Sequence, residues 1–154
     1  MIRYWLLKSE PSCFSIEDLQ NMPHQTSPWD GIRNYQARNF MCKEMQIGDQ
    51  AFFYHSSCAT PGIVGTIEIV SQAYPDDTAF DPTSDHPDPK STPENPRWFM
   101  VDVRFKQKFS DIISLSSLKT HPELDDMRLL QKGNRLSILP VSPDEWAFIS
   151  NLSI

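Results

Sequence analysis

Apolar residues fall on both parities of the first segment. Ile2, Tyr4 and Leu6 alternate with Arg3, Trp5 and Leu7. A strand apolar on both faces is a central one, so residues 2–9 predict an interior strand. Lys8, Ser9 and Glu10 leave it together, and Pro11 stops the ladder. Ser15-Ile16-Glu17-Asp18 has the form of a capping box and opens a short helix through Leu19. Residues 21–28 read as a loop, with Pro23 and Pro28 as breakers. Asp30-Gly31 is a turn signal and Asn34 a good N-cap. Beyond it Ala37, Phe40, Met41 and Met45 recur at helical spacing, which predicts a helix ending near Met45, before Gly48-Asp49 turns the chain.

Ala51-Phe52-Phe53-Tyr54-His55 predicts a second strand, with Tyr54 and His55 on opposite faces. Residues 63–70 are a β-branched third strand. Gly65 within it signals a bulge or a close backbone approach. From 75 to 96, prolines and aspartates erase every period, and so long an irregular loop reads as functional or mobile, a candidate lid. In Arg97–Phe105 the residues Phe99, Val101, Val103 and Phe105 share one face, with Trp98, Met100, Asp102 and Arg104 on the other, more polar one. Residues 112–118 and 127–130 read as short helices, Gly133-Asn134 as a turn and 135–139 as a last strand. Ser142-Pro143-Asp144-Glu145 opens a final helix with Trp146, Ile149 and Leu152 inward. About five strands flanked by short helices, without a regular β-α repeat, predict an α+β fold built on a curled, mostly antiparallel barrel. There is no dinucleotide fingerprint, P-loop or internal repeat.

The chain has 154 residues, 39% of them apolar and 11% aromatic, which suits one domain over 1–154 with a sizeable core. No run approaches the roughly 18 apolar residues of a membrane span. The first residues lack a signal-peptide pattern, so a cytoplasmic protein with no membrane partner is expected. Cys13, Cys42 and Cys58 form no CxxC pair and are expected to be reduced and mostly buried. The net charge of −6 changes the picture most. Non-specific gripping of a phosphate backbone needs a basic surface, so any nucleic-acid contact here must use a local basic patch or a pocket for one nucleotide.

Candidate chemistry narrows accordingly. His55 and Cys58 are separated by a turn and have no evident third partner for nucleophilic catalysis. His24, His55, His86 and His121 are scattered, with no HxxxH or HExxH, so no metal, cofactor or catalytic residue is assigned. Base recognition fits better, because it needs aromatic faces, hydrogen-bonding edges and a few cations. Trp29, Tyr35, Tyr54 and Trp98 are candidates to stack, at about 1–3 kcal/mol per base. Asn34, Ser9 and Ser137 are candidates to read base edges. Lys8, Arg33, Arg38 and Lys43 are candidates to meet phosphate.

Several motifs occur in order along most of the chain: Tyr4-Trp5-Leu6-Leu7-Lys8-Ser9-Glu10-Pro11, then Trp29-Asp30-Gly31-Ile32-Arg33-Asn34-Tyr35-Gln36-Ala37-Arg38-Asn39-Phe40. Phe53-Tyr54-His55-Ser56, Gly62-Ile63-Val64-Gly65, Phe80-Asp81-Pro82, Pro96-Arg97-Trp98 and Arg135-Leu136-Ser137-Ile138 follow. Together they resemble the EVE domain family, which has many small bacterial members. The resemblance implies a PUA-like fold, a small β-barrel with helices around it, related to YTH and ASCH domains. It also implies a cleft for a nucleobase, with modified bases as suspected ligands, in DNA or RNA. Carried over residue by residue, that cleft is bordered by Lys8, Ser9, Trp29, Asp30, Gly31, Arg33, Asn34, Tyr35, Tyr54 and His55. Residues 56–61 depart from the family pattern, and 85–93 carry none of it.

The leading expectation is a non-enzymatic reader of a nucleobase. Trp29 or Trp98 would stack, Asn34 and Ser9 would bond the base edge, and Arg33 and Lys8 would meet phosphate. Two alternatives stay open: an enzyme acting on a modified base with His55 as acid or base, and a protein-interaction module using the acidic proline-rich loop. The oligomeric state is open, with a monomer the working expectation.

Overall fold

Strand β1 (Tyr4–Ser9) is apolar on both sides because both faces of its sheet are covered. Trp5 and Leu7 enter one hydrophobic cluster and Leu6 enters the other, all three with essentially no exposed surface. The computed structural model describes residues 2–133 and 135–153. Its main sheet has six strands in the order β2-β7-β4-β3-β1-β8. These are β1, β2 (Thr26–Pro28), β3 (Gln50–His55), β4 (Gly62–Ile69), β7 (Asp102–Ser114) and β8 (Ile138–Val141). The short pair β5 (Tyr74–Pro75) and β6 (Phe99–Met100) forms a separate ribbon.

All neighbours in the main sheet are antiparallel except β1 and β3, which run parallel with Leu6 beside Phe52 and Leu7 beside Phe53. A parallel pair needs a long crossover, and residues 10–49 supply it. That crossover carries helix α1 (Ile16–Gln20), β2 and helix α2 (Tyr35–Asn39). The sheet curls into a half-barrel: β2 and β8, at its two ends, do not pair with each other. This matches the α+β expectation, with one parallel pair and an open seam.

The two faces have different covers. One is packed by Ile16, Leu19, Trp29, Ile32, Phe40 and Met41 from the crossover. The other is packed by helices α3 (Leu115–Leu118) and α4 (Pro143–Leu152) with the turns between them. Trp146 of α4 stacks on Tyr4 and Phe52 with centroids 4.6 and 4.1 Å away. Local signals form as expected at both capping boxes: Ser15 with Asp18 and Ser142 with Glu145.

Several boundaries depart from the sequence reading. The 21–28 loop contains β2, an edge strand too short to show alternation, where Pro28 is tolerated because an edge needs no further ladder bond. The helix begun at Asn34 ends as α-helix at Asn39 and widens into a π-turn over Phe40–Glu44, closed by the Met45 N–H on the Phe40 carbonyl at 2.9 Å. All four apolar positions of that pattern are buried nonetheless. The expected strand 97–105 is split into β6 and β7, and β7 continues to Ser114, through residues expected to be helical. Two irregularities in its pairing with β4 break the alternation, so only Val103, Phe109 and Ile113 are buried along it. Gly65 sits at one of them, where a Cβ would lie 2.1 Å from the Gln107 carbonyl oxygen. The last strand begins at Ile138 rather than Arg135. Cys13 and Cys42 are exposed and Cys58 is half-buried, against the expectation of buried thiols. Of the turn expected at Gly133-Asn134, Gly133 has φ +80°, and Asn134 lies outside the described residues.

Candidate functional site

A cleft of about 570 Å³ opens where β1 ends. Lys8 and Ser9 come from the last two residues of β1, and Ser137 lies opposite them because β8 runs antiparallel. The Lys8 N–H donates to the Ser137 carbonyl at 2.9 Å. Trp29, Asp30 and Gly31 come from the connection between β2 and α2. Asp85 and His86 come from the proline-rich loop, and Phe14 lines the cleft as well. Six expected site residues therefore meet in one concavity: Lys8, Ser9, Trp29, Asp30, Gly31 and Ser137.

Each is held by its surroundings. Trp29 is anchored at both levels: its N–H donates to Val101 at 2.7 Å, and its ring meets Phe14 and Phe53 edge-on. Ser9 donates its hydroxyl to the Phe14 carbonyl at 2.6 Å, which leaves its oxygen lone pairs as acceptors. The Lys8 ammonium lies 5.9 Å from the Tyr54 ring, and burial lowers its pKa. The Asp30 carboxyl is pushed up, first by burial and then by the nearby Asp76 charge.

Gly31 takes φ +82°, a conformation that favours glycine, and a Cβ there would sit 2.9 Å from the His86 ring. The imidazole thus packs directly on the glycine. Its Nε2 is 3.6 Å from Asp30 Oδ1. That separation is an ion-pair distance rather than a hydrogen bond. Among the described residues, His86 Nε2 is the buried side-chain nitrogen or oxygen left without a hydrogen-bond partner.

Beside the cleft, Arg33 ties the proline-rich loop down. Its Nε and Nη2 donate to the His86 carbonyl at 3.1 and 2.6 Å. Nη1 donates to Asp76 and to the Ile32 carbonyl, and Nη2 also reaches the Thr78 hydroxyl. All five guanidinium N–H groups are used, so Arg33 is a structural clamp with no donor left for phosphate. Asp76, whose side chain is fully buried, also accepts from the Gly31 N–H at 2.8 Å. Burial alone would raise its pKa. The bonds from Thr78, Gly31 and Arg33 outweigh that and hold it below the usual value.

The other expected residues lie elsewhere. Asn34 caps α2 by accepting from the Ala37 N–H at 3.0 Å. Tyr35 stacks on Trp98 at 4.8 Å and is itself covered by Arg38 at 4.7 Å. Trp98 is buried rather than on a polar face, and its indole N–H donates to Asp88 at 2.6 Å. Tyr54 packs into the opposite cluster. His55 Nε2 accepts from the Ile16 N–H at 3.1 Å, so this ring helps to start α1 and does not border the cleft. Arg38 and Lys43 line a different, wider groove. Arg38 spends three N–H groups on Asn39 and the Arg97 carbonyl.

Asp85, His86 and Phe14 are among the site residues that sequence reasoning missed. His86 stands in the stretch without family pattern, 55 residues from Gly31, and only the length of its loop hinted at a role. Chemically the cleft offers an aromatic wall and hydroxyl and carboxylate acceptors, beside a buried ring nitrogen that has no hydrogen-bond partner. Among the described residues no group of three or more His, Cys, Asp or Glu side chains could hold a metal ion, and no helix is long and apolar enough to cross a membrane.

Comparison with known proteins adds relatives to this geometry. The EVE domain profile matches residues 3–152. Thymocyte nuclear protein 1 of Gallus gallus is 48% identical over 166 aligned positions, which span 97% of this chain and 68% of that one. A crystal structure of a Pseudomonas syringae protein superposes with a TM-score of 0.93 at 49% identity, covering 98% of this chain and 99% of that one. The human THYN1 protein, solved in complex with DNA containing 5-methylcytosine, superposes with a TM-score of 0.91 at 45% identity, covering 98% of this chain and 97% of that one.

Proposed function

We propose that this chain, which belongs to the EVE domain family, binds DNA without altering it and holds one nucleobase, modified at its edge, in the cleft between Trp29 and His86. One observation carries the reading: a relative 45% identical over nearly the whole chain was solved with DNA containing 5-methylcytosine. The cleft agrees in size and chemistry. Its volume falls within the roughly 300–1,000 Å³ of small-molecule sites. Trp29 offers an apolar wall for a flat ring, and Ser9 offers acceptors for exocyclic amino groups. A base is read best once it has left the duplex stack, which single-stranded or mismatched DNA makes easier.

His86 adds selectivity in this reading. A buried nitrogen without a partner costs about 1–3 kcal/mol. A base edge that meets it after a small shift of the ring recovers that cost, and one that cannot meet it does not. Acid–base chemistry by His55 has no geometric support, since its Nε2 is committed to helix α1.

The test is a titration of purified protein with DNA oligonucleotides that differ only in one base, unmodified or 5-methylcytosine, with matched RNA strands alongside. Tighter binding of one modified DNA, with the preference reduced in His86→Ala, is the expected result. Equal affinity for every base in the series would overturn the base-reading assignment. Preference for RNA would replace DNA as the ligand.

A further inference from the structure

Three cations gather in one shallow groove of about 450 Å³, on a chain whose net charge is −6. Arg128 stands at the start of a 3-10 turn, Arg128–Leu130, and Lys132 and Arg135 follow it. All three are exposed. The scaffold beneath them is firm. Leu129 is buried in the hydrophobic cluster, and the Gln131 amide donates to the carbonyls of Asp125 and Met127 at 2.8 and 3.1 Å. Gly133, at φ +80°, has nothing within 4 Å of where a Cβ would sit, so the groove is open above it. Asp125 and Asp126 belong to the same loop but do not line the groove.

Residues lining the groove and residues lining the cleft neighbour one another along the chain on both sides. On one wall Arg135 and Leu136 line the groove, and the next residue, Ser137, lines the cleft. On the other, Gln36 lines the groove, four residues beyond Ile32 in the cleft. A nucleic-acid strand with one base in the cleft would have its flanking backbone beside these cations. Arg33, which the sequence suggested for that task, has no donor to give.

We propose that the Arg128–Lys132–Arg135 groove binds the phosphodiester backbone of the strand whose base occupies the cleft. The inference rests on the base-binding reading and assigns its phosphate contacts. Phosphate contacts position a nucleic acid and carry no base information, so the groove sets affinity and salt dependence, and the cleft sets the choice of base.

The test uses full-length protein, a single-stranded DNA with one 5-methylcytosine and its unmodified twin, titrated by fluorescence anisotropy across a salt series. In Lys132→Gln/Arg135→Gln both affinities should fall by about the same factor. The slope of log affinity against log salt should fall by about 1.4, roughly 0.7 for each cation removed when the ligand is a single strand. The preference between the twins should stay at the wild-type ratio. Both positions are exposed, and an unchanged melting temperature verifies the fold of the variant. A wild-type slope and affinity in the double variant would overturn the groove while leaving the cleft reading intact. An altered ratio between the twins at an unchanged slope would overturn it too, since the groove would then be reading bases. Absence of wild-type binding to either strand would remove the cleft reading and the groove with it.

Discussion

Trp29 and Trp98 are buried to the same degree, each with 6% of its surface exposed, yet they border different things. Trp98 has every interacting surface occupied by the protein: Asp88 takes its N–H, Tyr35 stacks on the ring and the Arg33 guanidinium stands 5.7 Å from it. Trp29 meets Phe14 and Phe53 edge-on and still borders the cleft. The degree of burial therefore does not separate a ligand-facing aromatic from a structural one. What separates them is whether protein groups already cover the ring. Trp98 belongs to the clamp that fixes the proline-rich loop, and Trp29 belongs to the wall which that loop completes.

The most forceful way to break the contrast is Trp29→Ala. Removing a core-packed indole is expected to destabilise by about 3–5 kcal/mol, so loss of binding in that variant would report unfolding as much as stacking. Trp29→Phe, which keeps most of the packing, should retain the fold and weaken binding. A Trp29→Ala protein as stable as wild type in urea unfolding would show that Trp29 does not hold the wall.

Arg33→Ala comes next. It leaves the buried Asp76 carboxylate without its cation and frees the His86 carbonyl, at an expected cost of about 3 kcal/mol. Arg33→Lys should recover little, because one ammonium cannot reproduce five planar donors. Full stability in Arg33→Lys would mean that charge alone, without the fork, ties the loop down.

Gly31→Ala sharpens the comparison at the cleft. The positive φ costs about 1–2 kcal/mol, and the new methyl must push the His86 ring away. Selectivity should fall along with stability, and a variant that loses stability but keeps full base preference would remove His86 from the reading. Asn34→Ala is expected to cost about 1 kcal/mol through removal of the helix cap, with base affinity unchanged. A selective drop in affinity there would return Asn34 to the ligand.

The smallest effect lies in the acid range. Asp76 has a folded pKa below its ordinary value near 3.8. Its contribution to stability is therefore present above that ordinary value and is lost as pH falls through the lower, folded one. Urea midpoints measured downward from about pH 5 should decline, and Asp76→Asn, less stable at neutral pH, should show a shallower decline. Parallel acid profiles for the two proteins would detach Asp76 from the clamp.

Much of this architecture was readable in the chain. Both capping boxes, the Asn34 cap, the Gly31 turn and the double-faced β1 follow from short-range rules, in which a few adjacent residues set the dihedrals or the side-chain period. The family motifs likewise point to the Trp29–Gly31 wall and to Lys8 and Ser9. The errors have a common cause. Strand β7 loses its alternation where its pairing with β4 slips, and β2 is an edge of three residues whose partner lies far along the chain. His55 and Tyr54 sit in a family motif, but each side chain is spent on an interaction that no local pattern announces, one with the Ile16 N–H and one with the far cluster.

Local order and class of fold were thus written in the run of residues, because caps, turns and periodicity act within a few positions. Which side chains share the cleft was not. Arg33 reaches His86 across 53 residues and Gly31 reaches Asp76 across 45. Those meetings exist only once the curled sheet and the crossover bring the proline-rich loop back over Gly31. Folding is also what spends Arg33 entirely on that loop while Lys132 and Arg135 stay exposed.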